Sequence, residues 1–94
     1  MQLNWIFKSF DELTAKELYA ILKLRNEVFV VEQNCVYQDA DGKDLHSLHL
    51  CGWITDKLAA YTRIIPPGIS YREASLDRVV TSPAYRNTGA GRQL

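Results

Sequence analysis

Apolar and polar positions alternate at the start of the chain. Leu3, Trp5 and Phe7 take one parity and Asn4, Ile6 and Lys8 the other, which predicts a strand. Further on, Leu18, Ile21, Leu22, Val28 and Phe29 recur at helical spacing, and Thr14-Ala15-Lys16-Glu17 stands before them as a capping box. Together they predict a helix near 15–31, with Arg25 on its apolar stripe. A polar stretch, Gln33 to Ser47, carries Asp39, Asp41, Gly42 and Asp44. Leu48 to Ile54 and Leu58 to Ile65 are almost continuously apolar around Thr55-Asp56-Lys57, and read as a β-hairpin with both faces partly covered. Pro66-Pro67-Gly68 ends it, because neither proline can donate to a ladder. Ala74 to Thr81 is a further strand, closed by Ser82-Pro83. The expected order is β-α-β-β-β followed by a glycine loop and a helix start, an α/β or α+β domain.

Composition narrows this to one small domain over residues 1–94. Hydrophobic residues make up 47% of the 94, enough for a core that hides roughly 60–65% of the unfolded chain's surface. Eleven basic and eleven acidic residues cancel, so no overall field favours nucleic acid or a membrane. The N-terminal residues lack the pattern of a signal peptide, and no apolar run approaches a membrane span. Cys35 and Cys51 are expected as reduced thiols in a soluble, cytoplasmic protein.

The candidate chemistry lies at the end of the chain. Arg86-Asn87-Thr88-Gly89-Ala90-Gly91 follows an apolar strand, and R-x-x-G-x-G there can hold a pyrophosphate. Gly89 and Gly91 let the backbone approach a ligand closely, a helix start would add free amides, and Arg86 adds charge. Calcium is excluded at Asp39 to Leu50: Lys43 sits at a ligand position, Asp44 replaces the required glycine, and Leu50 stands where a bidentate Glu belongs. Cys35, His46, His49 and Cys51 fit no common zinc spacing, so no metal is expected. The acidic loop reads either as a solvated turn or as a lure for a cationic amine. Arg25 calls for a buried carboxylate such as Glu32 or Asp77, since an unpaired buried charge is costly.

A strand, Ser-Pro and then Arg86-x-x-Gly89-x-Gly91 resembles the acetyl-CoA signature of the GNAT superfamily of N-acetyltransferases. Leu24-Arg25, Val28 to Cys35, Tyr37-Gln38-Asp39, Asp41-Gly42, Asp44 and Arg78-Val79-Val80 resemble its ElaA-like subgroup. The resemblance runs from about Trp5 to Leu94. It implies a GNAT-like, mostly antiparallel sheet with flanking helices, and acetyl transfer from acetyl-CoA to an amine without a covalent enzyme intermediate. The backbone of Val79, Val80 and Thr81 would bind the pantetheine arm, and the amides of Arg86, Asn87, Thr88, Gly89, Ala90 and Gly91 the pyrophosphate.

Such a reaction needs a base for the ammonium. Glu73 enters the strand beside the thioester and is one candidate, although Ser75 stands where several family members carry a catalytic Glu. Glu32 and Gln33 at the helix end read as polar caps or as the floor of an acceptor site. Asp77 departs from the subgroup's usual glycine and is expected to pair with Arg63 or Arg78, or to crowd the strand. The family continues beyond this point with further strands and helices, so the resemblance implies the N-terminal portion of a domain. On that reading the 94-residue chain binds acetyl-CoA weakly and associates with itself through the edge of strand 74–81. Two alternatives stay open: an inactive CoA-binding or dimerising remnant, and an interaction module that uses the strand edge.

Overall fold

The computed structural model describes residues 3–34, 38–68 and 74–88, with side chains as far as residue 85 in the last stretch. β1 (Asn4–Ser9), α1 (Ala15–Arg25), β2 (Leu48–Ile54), β3 (Lys57–Ile65) and β4 (Ser75–Thr81) follow one another in the expected order. The strands form one antiparallel sheet in the order β1-β2-β3-β4, each pairing with its neighbour in sequence. Short 3-10 turns at Phe10–Glu12 and Lys43–His46 were not foreshadowed by the pattern.

α1 begins where its capping box stands. The Glu17 amide donates to Thr14 Oγ1 at 3.1 Å, and the Thr14 amide donates to Glu17 Oε1 at 2.8 Å. Lys8 Nζ lies 3.0 Å from both Glu17 oxygens, so the same carboxylate ties β1 to the helix. The α-helix ends at Arg25, and Asn26–Glu32 continues as a π-helix closed by the Gln33 amide donating to Val28 O at 3.1 Å. Val28, Val30 and Val31 are β-branched and crowd a tight α turn, which makes the wider coil easier to reach. The turn of the stripe leaves Val28 buried and Val31 at 73% exposure.

α1 lies against one face of the sheet. Ile21, Leu24 and Val28 meet Cys51, Leu58, Tyr61 and Val80 there, flanked by Leu13, Ala20, Phe29 and Trp53. The far face is thinner: Leu3 and Ala59 are buried beneath Trp5, Ile54 and Tyr85. Gly52 stands opposite Trp5 in the β1–β2 register, and a Cβ on it would lie 2.8 Å from Trp5 Cζ3. That close approach is why glycine occupies the centre of this strand.

Two irregularities shape the sheet. Ala59 is an extra residue on β3, since Gly52 pairs with Ala60 and Trp53 with Leu58. In β4 the step from Tyr61–Val80 to Arg63–Asp77 sets Arg78 and Val79 against Thr62 alone. Arg78 has φ 52°, which turns the chain at the bulge. No described helix is long and apolar enough to cross a membrane.

Candidate functional site

β4 carries the described part of the candidate site. Val80 points into the helix-side core, whereas Val79, one residue earlier in the bulge, is 54% exposed. Thr81 pairs with Ala60 and is half-buried. The Ser82 amide then donates to Ala59 O at 2.7 Å, fixing how the chain leaves the strand. Pro83–Thr88 forms a 3-10 helix, with Tyr85 packed against the far-face cluster. The backbones of Arg86, Asn87 and Thr88 complete that turn. Gly89, Ala90, Gly91 and Glu73 lie outside the described residues. Among the described residues, the outer edge of β4 has no strand beside it.

Beneath this strand sits a network of three arginines and four aspartates. Arg25, fully buried on α1, lies 2.9 Å from Asp39 Oδ2 through Nε, an ionic contact rather than a hydrogen bond. Its Nη1 donates to Asp44 Oδ1 at 2.7 Å, its Nη2 donates to Asp39 O at 2.9 Å, and its guanidinium stands 5.9 Å from the Tyr61 ring centroid. Arg63, also fully buried, donates to both Asp77 oxygens at 2.7 and 2.6 Å, to both Asp41 oxygens at 2.8 and 3.1 Å, and to Asp44 at 3.1 Å. Arg78 Nε donates to Asp39 Oδ1 at 2.8 Å. Burial opposes the charge of Asp41, but Arg63, the Lys43 amide and Arg78 outweigh it and hold the carboxyl at about 2. For Arg63, too, burial disfavours the cation, and Asp77 and Asp41 more than reverse it, so it stays charged.

The expectations for Arg25 and for the acidic loop change here, and for Asp77 the pairing with Arg63 holds. Arg25 pairs with Asp39 and Asp44, not with Glu32 or Asp77. Asp77 pairs with Arg63 as a two-pronged ion pair and lies 3.6 Å from Arg78 Nη1, so it joins the strand to the network. Asp39 and Asp44 are buried and Asp41 is held by Arg63, so these carboxylates serve the protein's own arginines and not an incoming amine. The signal for this was present: arginines inside the apolar segments of α1 and β3 each demand a carboxylate. Which loop aspartate answers which arginine is not encoded in spacing. Gly42, at φ 86°, lets the loop turn between Asp41 and Asp44.

The thiol and imidazole have structural roles. His49 Nε2 lies 3.0 Å from Asp44 O and Nδ1 lies 2.6 Å from the Tyr61 hydroxyl. A carbonyl only accepts, so Nε2 bears the proton and Nδ1 accepts from Tyr61. Cys51 shares the helix face of β2 with His49, and burial pushes its thiol up to about 12, which suits packing and not nucleophilic attack. Glu32 is exposed at the last residue of the π-helix. Ser75, at the start of β4, has its hydroxyl buried without a hydrogen-bond partner among the described residues. Among the described residues no three His, Cys, Asp or Glu side chains form a group that could hold a metal.

Comparison with known proteins places this geometry. The model of the acetyltransferase (GNAT) family matches residues 10–94. The chain is 46% identical over 95 residues to a UPF0039 protein of Synechocystis sp., covering 100% of this chain and 62% of that one. It is 44% identical over 94 residues to the protein ElaA of Escherichia coli, covering 98% of this chain and 61% of that one. The crystal structure of an acyl-CoA N-acyltransferase from Pseudomonas aeruginosa matches with a TM-score of 0.92 at 47% identity, over 99% of this chain and 65% of that one. The chain thus spans less than two thirds of the length of these relatives.

Proposed function

The chain belongs to the GNAT family of acetyltransferases, and from that premise we propose that it serves the transfer of acetyl from acetyl-CoA to an amine. The observation that carries the proposal is the bulged outer edge of β4, which has no strand beside it among the described residues and is followed in the sequence by Arg86-Asn87-Thr88-Gly89-Ala90-Gly91. Backbone groups of Val79, Val80 and Thr81 on that edge are suited to the amides of a pantetheine arm. The amides of Arg86 to Gly91 are suited to a pyrophosphate, with the Arg86 cation beside them. In the reaction the amine nitrogen bonds to the thioester carbon, the C–S bond breaks, and the thiolate takes up a proton. A base removes one proton from the amine, and Glu73 and Glu32 are the candidates.

The test is calorimetric titration with acetyl-CoA together with release of free CoA thiol across a panel of amines. Gly89→Trp is expected to reduce binding about tenfold or more by blocking backbone approach. Absence of any acetyl-CoA binding by the unaltered protein overturns the proposal. Binding without turnover by any amine favours an inactive CoA-binding remnant. The same edge of β4, without a neighbouring strand among the described residues, supports a second reading, association with another strand, including a second copy of this chain.

A further inference from the structure

We propose that Arg78 is a positioning residue: its guanidinium, held by Asp39, Asp41 and Asp77, fixes the β4 bulge in the shape that presents the Val79 backbone to acetyl-CoA. The proposal rests on the acetyl-CoA reading above and names what prepares that site.

The bulge is placed at one point in the strand by an unusual choice of residue. Positive φ at the first position of such a bulge normally falls to glycine, which carries no Cβ to clash. Here an arginine adopts φ 52°. A glycine would make the turn without strain but would leave it loose. Arginine holds it through its far end: Nε lies 2.8 Å from Asp39 Oδ1, Nη2 lies 3.2 Å from Asp39 O and 3.4 Å from Asp41 Oδ2, and Nη1 lies 3.6 Å from Asp77 Oδ2. Asp39 is itself gripped by Arg25 from α1, and Asp41 and Asp77 by Arg63 from β3. The bulge is therefore tied to the helix and to the neighbouring strand. Val79, the next residue, is 54% exposed on the outer edge of β4, which has no strand beside it among the described residues and where a pantetheine arm would lie. A backbone already held in the binding geometry loses less freedom when the ligand arrives.

Arg78→Gly separates the two contributions, because glycine accepts the backbone angle while the clamp is lost. The variant should fold, since Asp39 keeps Arg25 and Asp41 and Asp77 keep Arg63. Two measurements on the full chain decide the matter: NMR order parameters of the amides of residues 78–80, and the dissociation constant for acetyl-CoA by calorimetry. The unaltered protein should show order parameters of about 0.85 there. Arg78→Gly should lower them toward about 0.6 while the amides of β2 stay rigid, and should weaken acetyl-CoA binding about tenfold. Arg78→Lys, which keeps a cation for Asp39, should recover part of both. Order parameters unchanged in Arg78→Gly overturn the clamp. Loosened amides with unchanged affinity overturn its link to the ligand. If the unaltered protein binds no acetyl-CoA, the functional reading falls, and the clamp is still decided by the order parameters alone.

Discussion

Enclosed between Asp44 and Tyr61, His49 has one arrangement of ring protons that satisfies both neighbours, and that arrangement is neutral. Burial lowers its affinity for a proton; the Asp44 carbonyl opposes this, and Arg25 and Arg63 reinforce it. Its folded pKa therefore lies below the ordinary 6.5. The unfolded chain takes up that proton first as pH falls, so the stability His49 contributes is complete above about 6.5 and declines below it. A series of melting temperatures from neutral to mildly acidic pH should fall accordingly, and His49→Gln should remove most of that slope while costing about 1–2 kcal/mol at neutral pH. A slope unchanged in the variant would assign the effect to another group. At this scale the sequence announced problems but not their solutions. Arg25 on an apolar stripe demanded a carboxylate, yet its partners lie 14 and 19 residues away in a loop with several acids to choose from.

Elements were legible where periodicity or punctuation marked them. The capping box placed the start of α1, Pro66-Pro67-Gly68 placed the end of β3, and the apolar runs placed β2 and β3. Features that depend on a residue acting against its type stayed hidden. Thr55, at φ 56°, makes the β2–β3 turn without the usual Asn or Gly, and Arg78 makes the β4 bulge likewise. The π-helix was invisible because its apolar positions continue the helical stripe. Gly52 is an exception that can be tested directly. A methyl there would meet Trp5 Cζ3 at 2.8 Å and Cη2 at 2.9 Å, too near for the ring to stay in place. Gly52→Ala should destabilise by about 1–3 kcal/mol in urea unfolding. In a Trp5→Leu background the same change should cost much less, because the colliding ring is gone. Equal costs in both backgrounds would show that the strand backbone, not the indole, excludes a side chain.

For the molecule as a whole, the apolar runs made the β2–β3 hairpin readable and the family resemblance implied the mostly antiparallel sheet, and the glycine motif pointed to the acetyl-CoA reading although its last residues lie outside those described. At this scale the edge expected of strand 74–81, now β4, matters most. Its outer edge has no strand beside it among the described residues, Leu76 and Val79 on it are 64% and 54% exposed, and Phe7 on the far face is 56% exposed. A free edge with exposed apolar side chains is a template for another strand. We therefore expect the protein to dimerise reversibly in the micromolar range, seen as a concentration-dependent sedimentation coefficient. Leu76→Lys should weaken the dimer roughly tenfold by placing like charges at the pairing edge. Acetyl-CoA and a second copy would compete for the same backbone groups, so saturating acetyl-CoA should move the population toward monomer by mass action. A dimer indifferent to both Leu76→Lys and acetyl-CoA would place the contact away from β4, and a strict monomer at every concentration would show that this edge is protected by other means.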